Sequence, residues 1–152
     1  MFPRLEEALS RTKGLEKRLS VILDEKFDYF EPNRLFLGAL SGHAADPHHV
    51  LSPFSEQSRV IRERDIEHFR IALDGTTIPK DLAPHLPGLL WLYQMSLILF
   101  WIYDRSHDQR RTRRLRKKSL SLVVTAIRIS SFPLMMPLRK RITGLIEAIE
   151  GD

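Results

Sequence analysis

Apolar residues recur at spacings of three and four along most of this chain, which is the pattern of helices with one face in a core. Alternation of apolar and polar residues over the length of a strand is rare. Prolines at 32, 47, 53, 79, 84, 87, 133 and 137 interrupt the helical pattern and mark helix boundaries. The pattern therefore predicts an all-α fold of about seven helices.

Local signals place several helix ends. Gly14 is expected to separate the first two helices, and Ser52–Pro53 is typical of an N-cap followed by a first-turn proline, which would start a helix that runs to Leu73. A short helix is expected from Asn33 to Ala45. The residues that its spacing turns inward are Leu35, Phe36, Ala39 and Leu40.

The run Leu86–Ser106, LPGLLWLYQMSLILFWIYDRS, is the only long stretch with almost no charge. From Leu89 to Tyr103 only Gln94 and Ser96 are neither apolar nor aromatic. A helix that is apolar all round must be covered on every side. About fifteen residues of helix rise roughly 22 Å against about 30 Å of hydrocarbon, which argues against a membrane span. We expect the chain's own core on one side and a second copy or a ligand on the other.

The next helix, expected over 108–131, carries two apolar stripes, and Ser106 with Gln109 matches a capping box at its start. One stripe is a seam with small residues, which lets another helix approach closely. The seam consists of Leu115, Ser119, Leu122, Ala126 and Ile129, and the second stripe of Leu120, Val123, Val124 and Ile127. We expect this helix and the apolar run to form an antiparallel pair, and two copies of the pair to form a four-helix bundle in a homodimer. The apolar run would contribute Leu92, Met95, Leu99 and Ile102.

Aromatic and polar residues share the inner side of the apolar run. Pockets for small apolar ligands combine aromatic walls with a few polar anchors, and Tyr93 and Gln94 are candidate anchors. The candidate ligand-binding residues are Phe36, Phe69, Tyr93, Gln94, Leu97, Phe100 and Trp101, with Phe27 as an alternative to Phe36. The alternative is a plain core in which Tyr93 and Gln94 bond to backbone or water.

Composition adds limits on function. The 152 residues suffice for a single domain over 1–152 with its own core, and the absence of cysteine removes disulfides and thiolate chemistry. The N-terminal residues lack the cationic and apolar segments of a signal peptide, so a cytoplasmic location is expected. The net charge is +5.

Much of the positive charge lies in one run. It consists of Arg105, Arg110, Arg111, Arg113, Arg114, Arg116, Lys117 and Lys118. No aromatic residues alternate with these cations, which counts against single-strand binding by base stacking. We favour a solvated helix end over a nucleic-acid or anionic-lipid surface.

Catalytic and metal-binding patterns are weak. His43, His48 and His49 match no zinc spacing, and Asp65 with His68 has no matching motif on another helix, so we expect that pair at the surface. We find no nucleophile with a base, no glycine-rich phosphate loop and no paired carboxylates at usable spacing. The sequence therefore predicts no enzyme, no metal and no cofactor.

The order of helices and the text LPGLLWLYQMSLILFWIYDRS…QRRTRRL resemble the C-terminal regulatory domain of the tetracycline-repressor family of bacterial transcription regulators. The resemblance covers nearly the whole chain and is most specific over 86–115. The opening FPRLEEAL resembles the start of the helix that joins the DNA-binding and regulatory domains in that family.

The resemblance implies helices around an effector pocket and a homodimer held by the last two long helices. A small apolar effector would favour one spacing of the DNA-binding domains, with the first helix transmitting the change. The family's helix-turn-helix domain has no counterpart in these residues, so DNA contact is expected only through a domain outside this chain. The alternative is a helical homodimerisation module with a filled core and no ligand.

Overall fold

The computed structural model describes residues 2–44, 46–50 and 52–150, and the side chains of all of these except residues 2 and 3. The described residues form six α-helices of ten residues or more, one shorter α-helix and no strand, which confirms the all-α prediction. The helices are α1 (Phe2–Arg11), α2 (Leu15–Phe30), α3 (Arg34–Leu40), α4 (Arg59–Leu73), α5 (Leu86–Tyr103), α6 (Arg110–Ile129) and α7 (Met136–Glu150).

The core lies where α2, α4 and α5 meet. α5 packs against α3, α4 and α6, and α2 packs against α1, α4 and α6. Phe69 of α4 and Trp101 of α5 are among the most deeply buried side chains, and the Trp101 ring meets Phe27 of α2 edge-on at 5.5 Å. The apolar α5 is thus covered by neighbouring helices of its own chain on several sides.

Of two helix ends expected from the sequence, the one at Gly14 is found and the one at Ser52 is not. Gly14 separates α1 from α2 in a left-handed conformation with φ of 89°, which glycine adopts without strain. Ser52 does not cap α4, which begins seven residues later. Its hydroxyl donates to the carbonyl of Ala44 at 2.8 Å and accepts from the amide of Phe54 at 3.2 Å, so it stabilises the loop before α4 instead.

The short helix α3 is turned differently from the prediction. Leu35 is 92% exposed, Phe36 is 64% exposed and Ala39 is also exposed, so three of the four residues expected inside are on the surface. The guanidinium of Arg34 donates to the carbonyl of Trp101 at 2.7 Å. A cation at the C-terminal carbonyls of α5 is favourable, and this contact fixes which side of α3 faces α5.

The antiparallel pairing of α5 and α6 is confirmed by two contacts. The indole Nε1 of Trp101, near the end of α5, donates to Oε1 of Gln109 at 2.6 Å, just before α6 begins. Further back along α5, the hydroxyl of Tyr93 lies 2.7 Å from Oγ of Ser119, far along α6.

The start of α6 is capped by Asp104 and by Ser106, one of the two residues of the predicted capping box, without the other, Gln109. Oδ2 of Asp104 accepts from the amide and the hydroxyl of Thr112 at 2.8 and 2.7 Å. Oγ of Ser106 accepts from the amide of Arg111 at 3.0 Å. Gln109 is not available for a capping box because its side chain bonds to Trp101 and to Glu31.

The basic run is mostly exposed, with one exception. Arg116 is half-buried: its guanidinium lies 2.7 Å from Oδ1 of Asp24 and 5.1 Å from the centre of the Phe27 ring. Arg113 forms an ion pair with Asp108. One cation of the run thus holds α6 against α2, and the others face solvent.

α5 is long and apolar enough to cross a membrane by length and composition alone, and 44% of its 18 residues are buried inside the protein. It rises about 27 Å, so the length argument against a membrane span was too strict. The helix starts earlier than the uncharged core of the run because Leu86 and Pro87 form its first turn. α6 and α7 pass the same test only if joined across a bend of 102°.

The outer faces of α6 and α7 carry apolar side chains. On α6 the second stripe is buried at Leu120, Val124 and Ile127. The seam faces outward, with Leu122 70% exposed. α7 adds a row that the predicted interface did not include, Leu138, Ile142, Leu145 and Ile149.

Candidate ligand-binding cavity

A cavity of about 440 Å³ lies among α2, α3, α4, α5 and the loop before α4. Its volume is within the range of small-molecule sites, about 300 to 1,000 Å³. One wall belongs to α5 and consists of Trp91, Leu92, Met95, Ile98, Leu99 and Ile102. This wall is apolar except for Ser96 beside it.

The facing walls are also largely apolar. α2 and α3 contribute Phe30, Leu37 and Leu40, and α4 contributes Ile61. Phe54, from the loop before α4, packs its ring edge-on against Trp91 at 5.4 Å. The loop thus closes one side of the cavity with an aromatic contact to α5.

One end of the cavity is charged. Nζ of Lys26 on α2 lies 2.5 Å from Oδ2 of Asp65 on α4, and both side chains are buried. The ammonium also lies 5.3 Å from the centre of the Phe30 ring. Burial of a charge is tolerated when an opposite charge is bonded to it, so each of these residues makes the position of the other possible.

Arg62 is the third charged residue at this end. Its Nη1 donates to the carbonyls of Pro53 and Ser55 at 2.8 and 3.1 Å, and to Oγ of Ser58 at 3.4 Å. These acceptors are neutral, and within the described part of the chain Arg62 forms no ion pair. Two cations and one anion therefore line this end, which leaves one positive charge in excess.

A layer of polar side chains lies behind the charged pair. A space of about 10 Å³, roughly that of one water molecule, is bounded by Lys26, Asp65, His68 and Gln94. Burial lowers the pKa of His68, helped by the charges of Lys26 and Arg64 and opposed by those of Asp65 and Glu6, so the imidazole is neutral at pH 7. Nε2 of Gln94 is buried and has no acceptor among the described residues.

None of the seven candidate ligand-binding residues lines this cavity. Phe69, Gln94, Leu97 and Trp101 are core residues. Tyr93 faces α6, and burial raises the pKa of its phenol against the opposing effects of Ser119 and Arg116. The remaining two, Phe36 and Phe100, are exposed, and the ligand role of the whole set stays a prediction.

The residues assigned to dimerisation divide between two places. The four on α5, namely Leu92, Met95, Leu99 and Ile102, line the cavity. Of the five on α6, Leu115, Leu122, Ala126 and Ile129 are exposed on the outward face, and Ser119 is half-buried against Tyr93. The face of α5 that we expected to meet a second copy is therefore a wall of the cavity.

Sequence reasoning missed Lys26, Arg62 and Asp65. The expectation that Asp65 and His68 form a surface pair is wrong, since both are buried against α2. A signal was present: Lys26 follows Leu23 by three positions, and Asp65 precedes Phe69 by four, so each charge interrupts an apolar stripe. Opposite charges in the apolar stripes of two helices indicate a buried ion pair.

The rings of His43 and His49 stack at 4.1 Å. In the part of the chain that the structure describes, no three His, Cys, Asp or Glu residues are grouped as metal ligands.

A family model described as "Tetracyclin repressor-like, C-terminal domain" matches residues 18–142. The match covers α2 from residue 18 onward and all of α3, α4, α5 and α6. A comparison with curated proteins gives no match.

Proposed function

The chain belongs to the tetracyclin repressor-like C-terminal domain family, and on this basis we propose that it is the effector-binding and dimerisation domain of a bacterial transcription regulator. The observation that carries the proposal is the cavity of about 440 Å³ lined by α2 to α5 and by the loop before α4. Its walls are largely apolar and its charged groups are limited to Lys26, Arg62 and Asp65, which suits a small organic molecule. We place the protein in the cytoplasm and assign it no catalytic activity.

The proposed mechanism is a population shift that starts at the cavity. A ligand changes the conformational equilibrium only if it binds one arrangement of the walls more tightly than another. α1 packs against α2 and α4, which both contribute to the cavity. A shift of α2 relative to α4 would move α1, and through it the spacing of DNA-binding domains attached outside this chain.

Thermal unfolding in the presence of a small-molecule library tests the binding step. A ligand at a hundredfold its dissociation constant adds about 2.7 kcal/mol of stability, which raises the Tm of a chain of this size by roughly 5 to 10 °C. Met95→Trp places a larger side chain in the cavity and should abolish the shift. Leu122→Trp, on the outward face of α6, should leave it unchanged.

The alternative is a homodimerisation module that binds no small molecule. The outward positions of Leu92 and Leu99 favour it, since a second copy could cover the open side of the cavity. A library that contains no stabilising compound, combined with a Met95→Trp variant that is less stable than the wild type because its larger side chain overpacks a filled site, would support this alternative.

A further inference from the structure

We propose that the effector is an amphipathic molecule with one anionic group, a carboxylate in the simplest case, which binds Arg62 while its apolar part lies against α5. This inference rests on the proposed function and names the ligand class of the same cavity.

The first argument for an anionic ligand is the balance of charges at the polar end of the cavity. Lys26 is already bonded to Asp65, so its charge is compensated inside the protein. Arg62 lines the same cavity and is compensated by no carboxylate in the described residues. A ligand with a single negative charge restores neutrality, whereas a cationic ligand adds a second uncompensated charge next to Arg62.

The second argument is that the hydrogen bonds of Arg62 leave some of its donors for a ligand. All three of its bonds to the protein leave from Nη1, so Nε and Nη2 donate to no group in the described part of the chain. A guanidinium offers paired N–H groups that match the two oxygens of a carboxylate. Nη1 thus anchors the side chain to the loop before α4, and the other donors are left for a ligand.

The third argument is that the rest of the cavity suits the apolar part of such a ligand. Its α5 wall offers no charged side chain, and Trp91 of that wall and Phe54 of the loop add aromatic surface. Attraction between charges is stronger beside such apolar walls than in water, so a single charge contact contributes strongly to selectivity. The site therefore favours one charged group on an otherwise apolar molecule.

Three probes of equal chain length and different head groups test the inference: decanoate, decan-1-ol and decylamine. Isothermal titration calorimetry at pH 7.5 measures the dissociation constant of each with the whole chain. We expect decanoate to bind about tenfold or more tightly than decan-1-ol, and decylamine to bind most weakly. The fluorescence of Trp91 reports whether the probe enters the cavity, and Trp91→Phe should remove that signal.

Variants of Arg62 separate charge from loop anchoring. Arg62→Gln should bring the decanoate to decan-1-ol ratio close to one without weakening decan-1-ol. Arg62→Lys loses the fork of bonds to the loop but keeps the charge, so most of the preference should return. Arg59→Gln is the matched control, because Arg59 lies on the exposed side of α4 and pairs with Glu56 and Glu63. Its ratio should equal that of the wild type.

The outcomes distinguish this inference from the proposed function. Decylamine or decan-1-ol binding as tightly as decanoate, or a preference that survives Arg62→Gln, overturns the anionic class. A library ligand that binds the cavity without an anionic group also overturns the anionic class, but it supports the proposed function of effector binding. Failure of every compound to stabilise the wild type removes the proposed function. If Arg62→Gln does not fold by circular dichroism, equal ratios in Arg62→Lys and wild type support the charge contact, and a ratio near one in Arg62→Lys overturns it.

Discussion

At the scale of single residues, the buried Lys26–Asp65 pair makes each of the two charges depend on the other. Asp65→Asn leaves the buried ammonium without its counter-charge, and we expect it to lower the free energy of unfolding by about 3 to 5 kcal/mol. Replacement of both residues, Lys26→Met with Asp65→Leu, should recover most of the loss because no buried charge remains. Urea unfolding at 25 °C measures both.

The matched control for these variants is an exposed ion pair on the same helix, α4. Glu67 pairs with Arg70 at the surface of α4. Glu67→Gln should change the free energy of unfolding by less than about 1 kcal/mol, since exposed pairs are screened by solvent. Equal losses for Glu67→Gln and Asp65→Asn would show that burial of the Lys26–Asp65 pair has no energetic consequence.

His68 makes stability depend on pH. Its pKa is lowered in the folded protein by burial and by the charges of Lys26 and Arg64, against Asp65 and Glu6, so the unfolded chain binds a proton more readily. Stability should therefore be full above about pH 6.5 and fall as the pH drops towards the lowered pKa, with a slope of at most about 1.4 kcal/mol per pH unit.

His68→Gln removes this titration and should flatten the stability curve just below pH 6.5, measured by urea unfolding at closely spaced pH values. The exposed His107 provides the control, because His107→Gln leaves the buried group in place. A His68→Gln curve that still parallels the wild type in this range would contradict the assignment.

At the scale of elements, the turn between α5 and α6 depends on one carboxylate. Burial alone would raise the pKa of Asp104, but bonds from the side chains and amides of Ser106 and Thr112 lower it well below its usual range. The pKa of Asp104 is lower in the folded protein than in the unfolded chain. Its contribution to stability is therefore full above about pH 3.9 and is lost as the pH falls below that value towards the lowered pKa.

Asp104→Asn should lower the Tm at pH 7, since an amide cannot accept all four bonds as an anion does. The difference in Tm between variant and wild type should shrink as the pH falls below about 4. Asp28→Asn, an exposed carboxylate on α2, is the control and should leave the Tm close to that of the wild type. A constant difference across the pH range would contradict the capping role.

The helices differ in how much of their orientation could be predicted from sequence. α6 has two apolar stripes that the sequence distinguishes, and the structure buries Leu120, Val124 and Ile127 of one stripe while Leu122 of the other is exposed. α5 is apolar all round and its pattern therefore holds no information about which side faces which neighbour. On α5 the cavity is lined by residues that the sequence assigned to dimerisation, and by none of the seven that it assigned to ligand binding.

The cavity was harder to predict than the fold for a related reason. Helix existence follows from local spacing, but the cavity depends on the orientation of α3 and on the loop before α4. Arg34 sets the orientation of α3 by bonding to the end of α5. Ser52 and Arg62 organise the loop before α4 by donating to backbone carbonyls. These contacts run from side chains to backbone carbonyls, any residue can supply a carbonyl, and no spacing within the sequence indicates them.

At the scale of the whole molecule, the outward apolar seam of α6 and the apolar row of α7 need a partner, because a monomer rarely leaves so many adjacent apolar side chains in water. We expect a symmetric homodimer in which this surface meets its own copy. Leu122 is 70% exposed in one protomer and lies in the middle of the seam, so Leu122→Glu should place a charge in the interface and yield a monomer.

The matched control is Leu35→Glu on α3, since Leu35 is 92% exposed and lies beside the cavity-lining face rather than on the seam. Sedimentation equilibrium should give the mass of two chains for the wild type and for Leu35→Glu, and of one chain for Leu122→Glu. Leu145→Glu decides whether α7 shares the interface, because it dissociates the dimer only if the two surfaces are continuous. A wild type that sediments as one chain would contradict the homodimer. A Leu122→Glu variant that stays dimeric while Leu35→Glu dissociates would move the interface off α6 and onto the open side of the cavity.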